Sequence, residues 1–166
     1  MKTEVLIIGA GPTGLALACQ LIRYGIDFVI IDKKDTTTPY SKAIGVQART
    51  LEIYEQIGLA DKLVSLGGKA EGARLFVKGE QRGEIDFRDI GKGLSQYPFV
   101  LIVEQGKHET LLYDHIISNG RDVRWQTGLE SFTQNERGVT ANIKGSNGET
   151  ETIEARYLIA CDGAKS

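Results

Sequence analysis

The sequence has few of the residues that mark disulfide-rich, metal-binding or membrane proteins. Only two cysteines and two histidines occur among its 166 residues, and no long hydrophobic run is present. Cys19 and Cys161 both lie inside apolar segments, which excludes a disulfide scaffold and indicates reduced thiols in a reducing compartment. No Cys/His cluster has metal-ligand spacing, and no segment approaches the ~18–20 apolar residues that span a bilayer. These absences predict a soluble, cytoplasmic protein without a bound metal or a membrane partner.

The chain also lacks a large excess of positive or negative charge. The chain has 20 basic and 22 acidic residues, so nothing indicates a nucleic-acid partner. With 41% hydrophobic and 25% charged residues, the composition is ordinary for a globular fold and excludes a disordered tail or a collagen-like fibre. The length fits one domain or part of a larger one. The unusual feature is glycine, with 20 residues whose placement carries information.

The start of the chain contains a glycine-rich turn between a strand and a helix. Residues 5–8 form a continuous apolar run, which is typical of a parallel strand covered on both faces. Gly-Ala-Gly-Pro-Thr-Gly follows at 9–14, and residues 15–24 then favour a helix. Residues 26–31 form a second apolar strand, which ends on Asp32. This order predicts a β-α-β unit of the Rossmann type.

Each glycine of this turn has a physical role in binding a dinucleotide. Gly9 permits the tight turn, Gly11 lets a pyrophosphate approach the backbone, and Gly14 lets the helix pack closely on the sheet. Pro12 and Thr13 stand at the start of the helix, where unpaired N–H groups and a partial positive charge face the phosphates. The turn is therefore predicted to bind the phosphates of a nucleotide.

An acidic residue at the end of the second strand completes the pattern. Asp32 is placed to accept hydrogen bonds from a ribose diol, and its charge would repel a 2′-phosphate, which disfavours NADP at this site. Lys33 follows it and is included among the predicted cofactor-binding residues. The alternative is a glycine-rich turn that binds nothing, although the motif meets all of its contextual requirements.

The next segment departs from a simple dehydrogenase. Residues 33–46 are expected to form a polar loop and residues 47–57 a helix, with Gly58-Leu59 as a Schellman-type ending. Three residues are expected to form the apolar face of this helix, namely Ile53, Tyr54 and Ile57. Arg49 lies in the first turn, where a cation opposes the helix dipole. This cost favours an anionic partner for Arg49 over a purely solvated side chain.

Short strands and a second long helix occupy the middle of the chain. Strands are expected at 73–77, 84–87, 99–103 and 123–125, with a turn at 78–83. Gln105 precedes a helix that runs through about residue 119, with Leu112 and Ile116 facing inward. His108 and His115 lie on the same face as Leu112, so packing is favoured over a catalytic or metal-binding role.

The last part of the chain predicts a three-stranded antiparallel meander at 129–134, 139–144 and 149–155, separated by turn residues. Residues 157–161 are expected to form a separate, buried returning strand, which ends in Asp162-Gly163. The predicted class is therefore α/β, a parallel sheet with helices and a meander.

Three motifs, in this order, are similar to those of one known family. They are the glycine turn with Asp32, the segment Gln-Ala-Arg-Thr-Leu-Glu at 47–52 with Gln105, and Cys-Asp-Gly-Ala-Lys-Ser at 161–166. On these motifs the chain resembles the FAD-dependent aromatic hydroxylases, single-component flavoprotein monooxygenases of the p-hydroxybenzoate hydroxylase type. The resemblance implies a Rossmann-like FAD-binding fold with an incomplete β segment of a substrate domain.

The resemblance also implies roles for individual residues. The glycine turn and Asp32 would bind the ADP half of FAD, Arg49 and Gln105 would contact the flavin nucleotide, and Asp162 with Gly163 would serve both FAD and the docking of NAD(P)H. The implied enzyme hydroxylates an aromatic or phenolic substrate with O₂, and uses NADPH or NADH as a transient reductant. The flavin carries this chemistry, so no catalytic side chain is assigned.

Two positions depart from the family pattern. Asp32-Lys33 stands where the family more often has Glu followed by Arg, a conservative change that keeps ribose binding. Lys42 stands where many members carry Arg, which weakens any expectation of a bidentate phosphate contact there.

Family members continue beyond the Asp-Gly motif, so the chain is expected to be an N-terminal portion with negligible hydroxylase turnover of its own. The resemblance assigns residues 1–72 and 105–166 to the FAD-binding domain and residues 73–104 to partial substrate-domain strands. Those strands would lack sheet partners, and their open edges would allow association with another chain. Two alternatives stay open: another FAD-dependent oxidoreductase of the same architecture, and a catalytically inert nucleotide-binding fragment.

Overall fold

The structure, a computed structural model, describes residues 1–39, 43–88 and 90–163. Its strands are β1 (Lys2–Ile8), β2 (Phe28–Ile31), β3 (Ala43–Val46), β4 (Gly68–Ala70), β5 (Gly72–Val77), β6 (Glu80–Asp86), β7 (Val100–Glu104), β8 (Thr127–Asn135), β9 (Gly138–Gly145) and β10 (Thr150–Ala160). Its helices are α1 (Pro12–Arg23), α2 (Ala48–Glu55), α3 (Ala60–Leu66) and α4 (Gln105–Ser118). The chain divides into two compact units, Met1–Pro39 with Glu109–Ser166 and Tyr40–His108. The helices that the structure describes include no candidate for a membrane span.

The first unit is built on a five-stranded sheet with the strand order β2-β1-β10-β9-β8. Strand β1 pairs in parallel with β2 on one side and with β10 on the other. Strands β8, β9 and β10 pair antiparallel in succession. The predicted β-α-β unit, the meander and the α/β class are therefore confirmed.

The last strand differs from its prediction. The sequence predicts two strands, at 149–155 and 157–161, but β10 is one continuous strand. Its first half pairs antiparallel with β9 and its second half parallel with β1. No glycine, proline or asparagine separates the two halves, so the chain has no local reason to turn there. Tyr157 and Ile159 are also exposed, so the expectation of a buried returning strand is wrong.

The hydrophobic core of the first unit holds the parallel strands and the meander together. One buried cluster joins β1 and β2 to β9 and β10 and consists of Leu6, Ile8, Ile31, Ala141, Ile143, Ile153 and Ala155. Leu112 and Ile116 of α4 are buried, as predicted. The Cys19 thiol donates a 3.6 Å hydrogen bond to the carbonyl of Leu112, and burial raises the pKa of Cys19 to about 12. Cys19 is therefore a neutral packing residue.

Residues 123–125 do not form the predicted strand. The backbone turns within these residues, because the N–H of Trp125 donates to the carbonyl of Val123 at 3.0 Å. Only Arg124 makes an isolated parallel bridge, to Ile31. The β-branched and aromatic side chains indicate a strand, but the local turn prevents a ladder from extending.

The second unit contains a three-stranded antiparallel sheet in which β7 lies between β3 and β4. The expectation of a polar loop over 33–46 is wrong at its end, because residues 43–46 form β3. This short segment becomes a strand by pairing with β7, which is distant in sequence. Strand β7 therefore has partners on both sides, contrary to the expectation for residues 73–104.

Strands β5 and β6 form a separate hairpin in the second unit. Its turn consists of Lys78 and Gly79, with φ of 51° and 83°, which is the positive-φ pair of a type I′ turn. The predicted turn at 78–83 is therefore too long. Leu75, Phe76 and Ile85 are exposed. Among the described residues, these two strands pair only with each other, and association through their edges stays a prediction.

Helix α2 ends in the predicted Schellman motif. Gly58 has a φ of +71°, and the Leu59 and Gly58 N–H groups donate to the carbonyls of Tyr54 and Glu55 at 2.9 and 3.0 Å. The buried residues of α2 are Leu51 and Tyr54. The predicted apolar face is therefore wrong at Ile53 and Ile57, which are only partly buried. His108 is buried against Tyr54, with 2.9 Å between Nε2 and the phenol oxygen, which confirms packing for this histidine.

Candidate functional site

The glycine turn joins β1 to α1 and is held against the end of β10. The N–H of Gly9 donates to the carbonyl of Ile31 at 2.8 Å, and Gly9 has a φ of +102°. A Cβ at Gly9 would lie 2.6 Å from the carbonyl oxygen of Cys161. Both the backbone conformation and the close approach therefore require glycine here.

Gly14 is equally constrained, but by the turn itself. A Cβ at Gly14 would lie 1.9 Å from the carbonyl oxygen of Gly9. The absence of a Cβ at Gly14 lets the first turn of α1 approach Gly9 closely. Pro12 occupies the first helical position, where its missing N–H has no cost. The packing of the fold alone therefore accounts for glycine at positions 9 and 14.

Gly11 differs from the other two glycines of the turn. A Cβ at this position would meet nothing within 4 Å, and its φ of −80° suits any residue. Gly11 is the N-cap of α1, yet no side chain caps this helix and its first turn, which contains Thr13, has no acidic residue. The first N–H groups of a helix lack intrahelical partners. The turn therefore presents an open, electropositive backbone surface at Gly11.

Asp32 anchors the turn from the end of β2. Its Oδ2 accepts a 2.7 Å hydrogen bond from the N–H of Ala10, and its Oδ1 accepts a 2.8 Å hydrogen bond from the N–H of Lys34. A carboxylate offers roughly four acceptor positions, so capacity remains for ribose hydroxyls. The side chain is 12% exposed and remains accessible. The clamp on Ala10 is a second role of Asp32, which the sequence pattern does not predict.

Residues 124–128 border Asp32, and the sequence does not predict them as part of the site. The N–H of Asp32 donates to the carbonyl of Arg124 at 3.1 Å, and the N–H of Thr127 donates to the carbonyl of Asp32 at 2.9 Å. The side chain of Lys33 lies against Gly128, because a Cβ at Gly128 would be 2.8 Å from the Lys33 Cε. Lys33 and Gly128 also line a cavity of about 520 Å³. The signal available in the sequence is Gly128 itself, which directly precedes the predicted first strand of the meander and lies within β8.

A buried carboxylate, Glu109, shares the Lys34 ammonium with Asp32. Glu109 is 0% exposed, and its Oε2 accepts a 2.7 Å hydrogen bond from the N–H of Thr38. The Lys34 ammonium lies 3.7 Å from this oxygen and 3.9 Å from Oδ2 of Asp32. Lys34 also lies over the ring of Trp125, 5.9 Å from its centroid. One lysine thus stands between the predicted ribose-binding carboxylate and a buried one.

The Asp-Gly motif meets the glycine turn at the end of β10. The N–H of Cys161 donates to the carbonyl of Ile8 at 2.7 Å, and the backbone of Cys161 and Asp162 lies against Gly9. Burial and the neighbouring Asp162 charge raise the pKa of the Cys161 thiol. Gly163 follows with a φ of +92°. The first and third motifs are therefore adjacent, while positions 164–166 and Lys42 lie outside the described residues.

Arg49 and Gln105 belong to the second unit. Arg49 is in the first turn of α2, its side chain is 75% exposed, and it donates to Oε2 of Glu52 at 3.2 Å. Hydrogen bonds from Ser95 and then from Arg49 lower the pKa of Glu52. An intrachain carboxylate therefore already offsets the cost of a cation at this helix start, which removes the need for an external anion. Gln105 is the first residue of α4.

The described residues contain no group of three or more His, Cys, Asp or Glu side chains that could hold a metal ion. The arrangement offers instead an uncapped helix N-terminus, an open glycine and a carboxylate with unused acceptor positions. Such groups bind the phosphates and ribose of a nucleotide.

Known proteins are similar to this chain in sequence and in fold. A family model described as an FAD binding domain matches residues 2–166. The chain is 33% identical to rifampicin monooxygenase from Rhodococcus hoagii over 164 residues, which cover 99% of this chain and 32% of that protein. It is 32% identical to pentachlorophenol 4-monooxygenase from Sphingobium chlorophenolicum over 164 residues, which cover 98% of this chain and 30% of that protein.

A solved structure is similar to this chain in its fold. The flavin-dependent monooxygenase PieE, determined in complex with FAD and substrate, matches with a TM-score of 0.87 at 26% identity. The match covers 100% of this chain and 31% of that one. The chain spans about a third of the length of the curated relatives it matches.

Proposed function

The chain belongs to the FAD binding domain family, and on that premise we propose that its glycine turn and Asp32 hold the ADP half of FAD. The observation that carries this proposal is the environment of Gly11. A side chain there would meet nothing within 4 Å, so neither packing nor a positive φ accounts for the glycine. A pyrophosphate that lies against the backbone does account for it, because any side chain would occupy its space.

The order of groups along the site supports a position for each part of the nucleotide. The uncapped N-terminus of α1 suits the pyrophosphate. Asp32 suits the ribose diol, and its negative charge disfavours a 2′-phosphate. The adenine is attached to the same ribose, so we place it against residues 124–128, because Arg124 and Thr127 are hydrogen-bonded to the backbone N–H and carbonyl of Asp32.

Four further residues are proposed to contact the flavin nucleotide. The backbone of Cys161 and Asp162 lies against Gly9 and Gly163 follows directly, which supports the participation of Asp162 and Gly163 in the same site. Arg49 and Gln105 are proposed from the family resemblance, with the Arg49 guanidinium largely exposed to a ligand.

We further propose that the enzyme is an NAD(P)H-dependent monooxygenase that hydroxylates an aromatic substrate with O₂. Its relatives include a rifampicin monooxygenase and a pentachlorophenol 4-monooxygenase, which supports this reaction class. When bound, FAD supplies the electron-transfer and oxygen chemistry, while this chain's residues bind and orient the cofactor. Residues 73–104 are proposed to contribute strands to the substrate domain, and their exposed hairpin supports association through its edges. The free thiols of Cys19 and Cys161 support a cytoplasmic location.

Replacing Asp32 by alanine should weaken FAD binding about ten- to hundredfold. The variant loses one or two charge-assisted hydrogen bonds to the ribose, each of about 1.5 kcal/mol. The affinity is measured by titrating FAD into the chain and following the flavin fluorescence. Asp35→Ala is the matched control, because it removes the same charge from an exposed residue nearby. Equal affinities for Asp32→Ala and the wild type would contradict the assignment.

A further inference from the structure

Glu109 is a fully buried acidic residue, and a negative charge at such a position requires compensation. It is 0% exposed and is the only acidic side chain among the buried residues that the structure describes. A buried carboxylate is strongly unfavourable unless hydrogen bonds and a counter-ion accompany it. The N–H of Thr38 provides a hydrogen bond at 2.7 Å, and Lys34 provides a cation at 3.7 Å.

Lys34 is shared between two carboxylates. Its ammonium lies 3.7 Å from Oε2 of Glu109 and 3.9 Å from Oδ2 of Asp32. Its own N–H donates to Oδ1 of Asp32, and its carbonyl accepts from the N–H of Gln126 at 2.7 Å. The backbone of Lys34 is thus fixed, and only its side chain is free to favour one acid or the other.

We propose that Glu109 and Lys34 are positioning residues for the ribose end of the site, an inference that rests on the proposed function. The charge of Glu109 draws the Lys34 ammonium away from Asp32, which keeps acceptor positions on Asp32 available for the ribose hydroxyls. Without that charge, the ammonium moves onto Asp32 and competes with the ribose for the same oxygens. Glu109 therefore acts on the nucleotide through Lys34, without touching it.

The binding test uses ADP and 2′-deoxy-ADP as probes, titrated into the whole chain by calorimetry. The wild type should prefer ADP by about tenfold, the equivalent of one charge-assisted hydrogen bond to the 2′-hydroxyl. Glu109→Gln keeps an oxygen acceptor for Thr38 but loses the charge, and should reduce the preference to about twofold or less. The double variant Lys34→Met/Glu109→Gln removes the competing cation and should restore the preference to about tenfold. A purely structural role for Glu109 would not produce this restoration.

Thermal unfolding provides a second measurement that does not depend on a ligand. Lys34→Met removes a cation that lies 3.7 Å from the buried Glu109 carboxylate and should lower Tm by on the order of 5 °C. Adding Glu109→Gln to Lys34→Met should recover most of this loss. A Lys34→Met chain as stable as the wild type, or a double variant no more stable than Lys34→Met, would overturn the proposal.

The outcomes separate this inference from the proposed function. A wild-type chain that binds neither ADP nor FAD overturns both. A wild-type chain that prefers ADP, combined with a Glu109→Gln variant of unchanged preference, overturns only the role of Glu109 and Lys34. Loss of the preference in Glu109→Gln, with its return in the double variant, supports both.

Discussion

Replacing Gly11 by valine should reduce the affinity of the chain for FAD about a hundredfold while leaving it folded. A valine side chain would fill the space next to the backbone that the pyrophosphate is proposed to occupy, at the cost of about two charge-assisted hydrogen bonds of about 1.5 kcal/mol each. The fold should lose no more than about 1 kcal/mol, because the new Cβ meets nothing within 4 Å. Fluorescence titration with FAD and thermal unfolding by circular dichroism measure the two quantities.

Gly68→Val is the matched control for Gly11→Val. Gly68 lies in β4, and a Cβ there also meets nothing within 4 Å. This control should bind FAD with wild-type affinity. Two results would contradict the role of Gly11: wild-type affinity in Gly11→Val, or unfolding of that variant, since unfolding would give the glycine a purely structural reason.

Replacing Gly14 by alanine should have the opposite signature, a loss of stability of about 3 kcal/mol or more. The added Cβ would lie 1.9 Å from the carbonyl oxygen of Gly9, which is backbone and cannot move aside as a flexible side chain can. For a chain of this size, such a loss lowers Tm by about 10 °C. Chemical denaturation followed by circular dichroism gives the free energy of unfolding.

Gly11→Ala is the matched control for stability, because it adds the same atom three residues earlier on the same turn. It should unfold within about 1 kcal/mol of the wild type, since its Cβ is in open space. If Gly14→Ala were as stable as Gly11→Ala, the close approach of α1 to the turn would not be needed for the fold.

The β-α-β unit with its glycine turn could be predicted from the sequence because its parts are local. The strand, the three glycines and Asp32 lie within the first 32 residues, and each has a conformational or chemical requirement that only a few residue types meet. The resemblance to FAD-dependent aromatic hydroxylases is confirmed by the family match and the related monooxygenases. What the sequence could not show is that Gly9 lies against Cys161, because that contact depends on the parallel pairing of β1 with β10.

Two errors of the sequence interpretation also come from pairing between distant strands. Strand β3 was missed because residues 43–46 become a strand only through β7, and β10 was divided because its two halves pair with different strands. The prediction of the apolar face of α2 is wrong for a different reason. The apolar residues of this short helix are spread around its circumference, so periodicity alone does not identify Leu51 as a buried residue.

The environment of the charged residues was partly visible in the sequence. Arg49 and Glu52 are three residues apart on a helix, a spacing that indicates an ion pair. Lys34 and Glu109 have no such relation, since they come from distant segments that only the fold brings together. Non-local contacts of this kind decide the electrostatics of the site.

A competition titration tests most directly the proposal that this chain binds FAD by its ADP half. The chain is first saturated with FAD, and ADP or FMN is then added while the release of FAD is followed by its fluorescence. ADP should release one FAD per chain, and FMN at the same concentration should release none. Displacement by FMN but not by ADP, or no saturable binding of FAD at all, would contradict the claim.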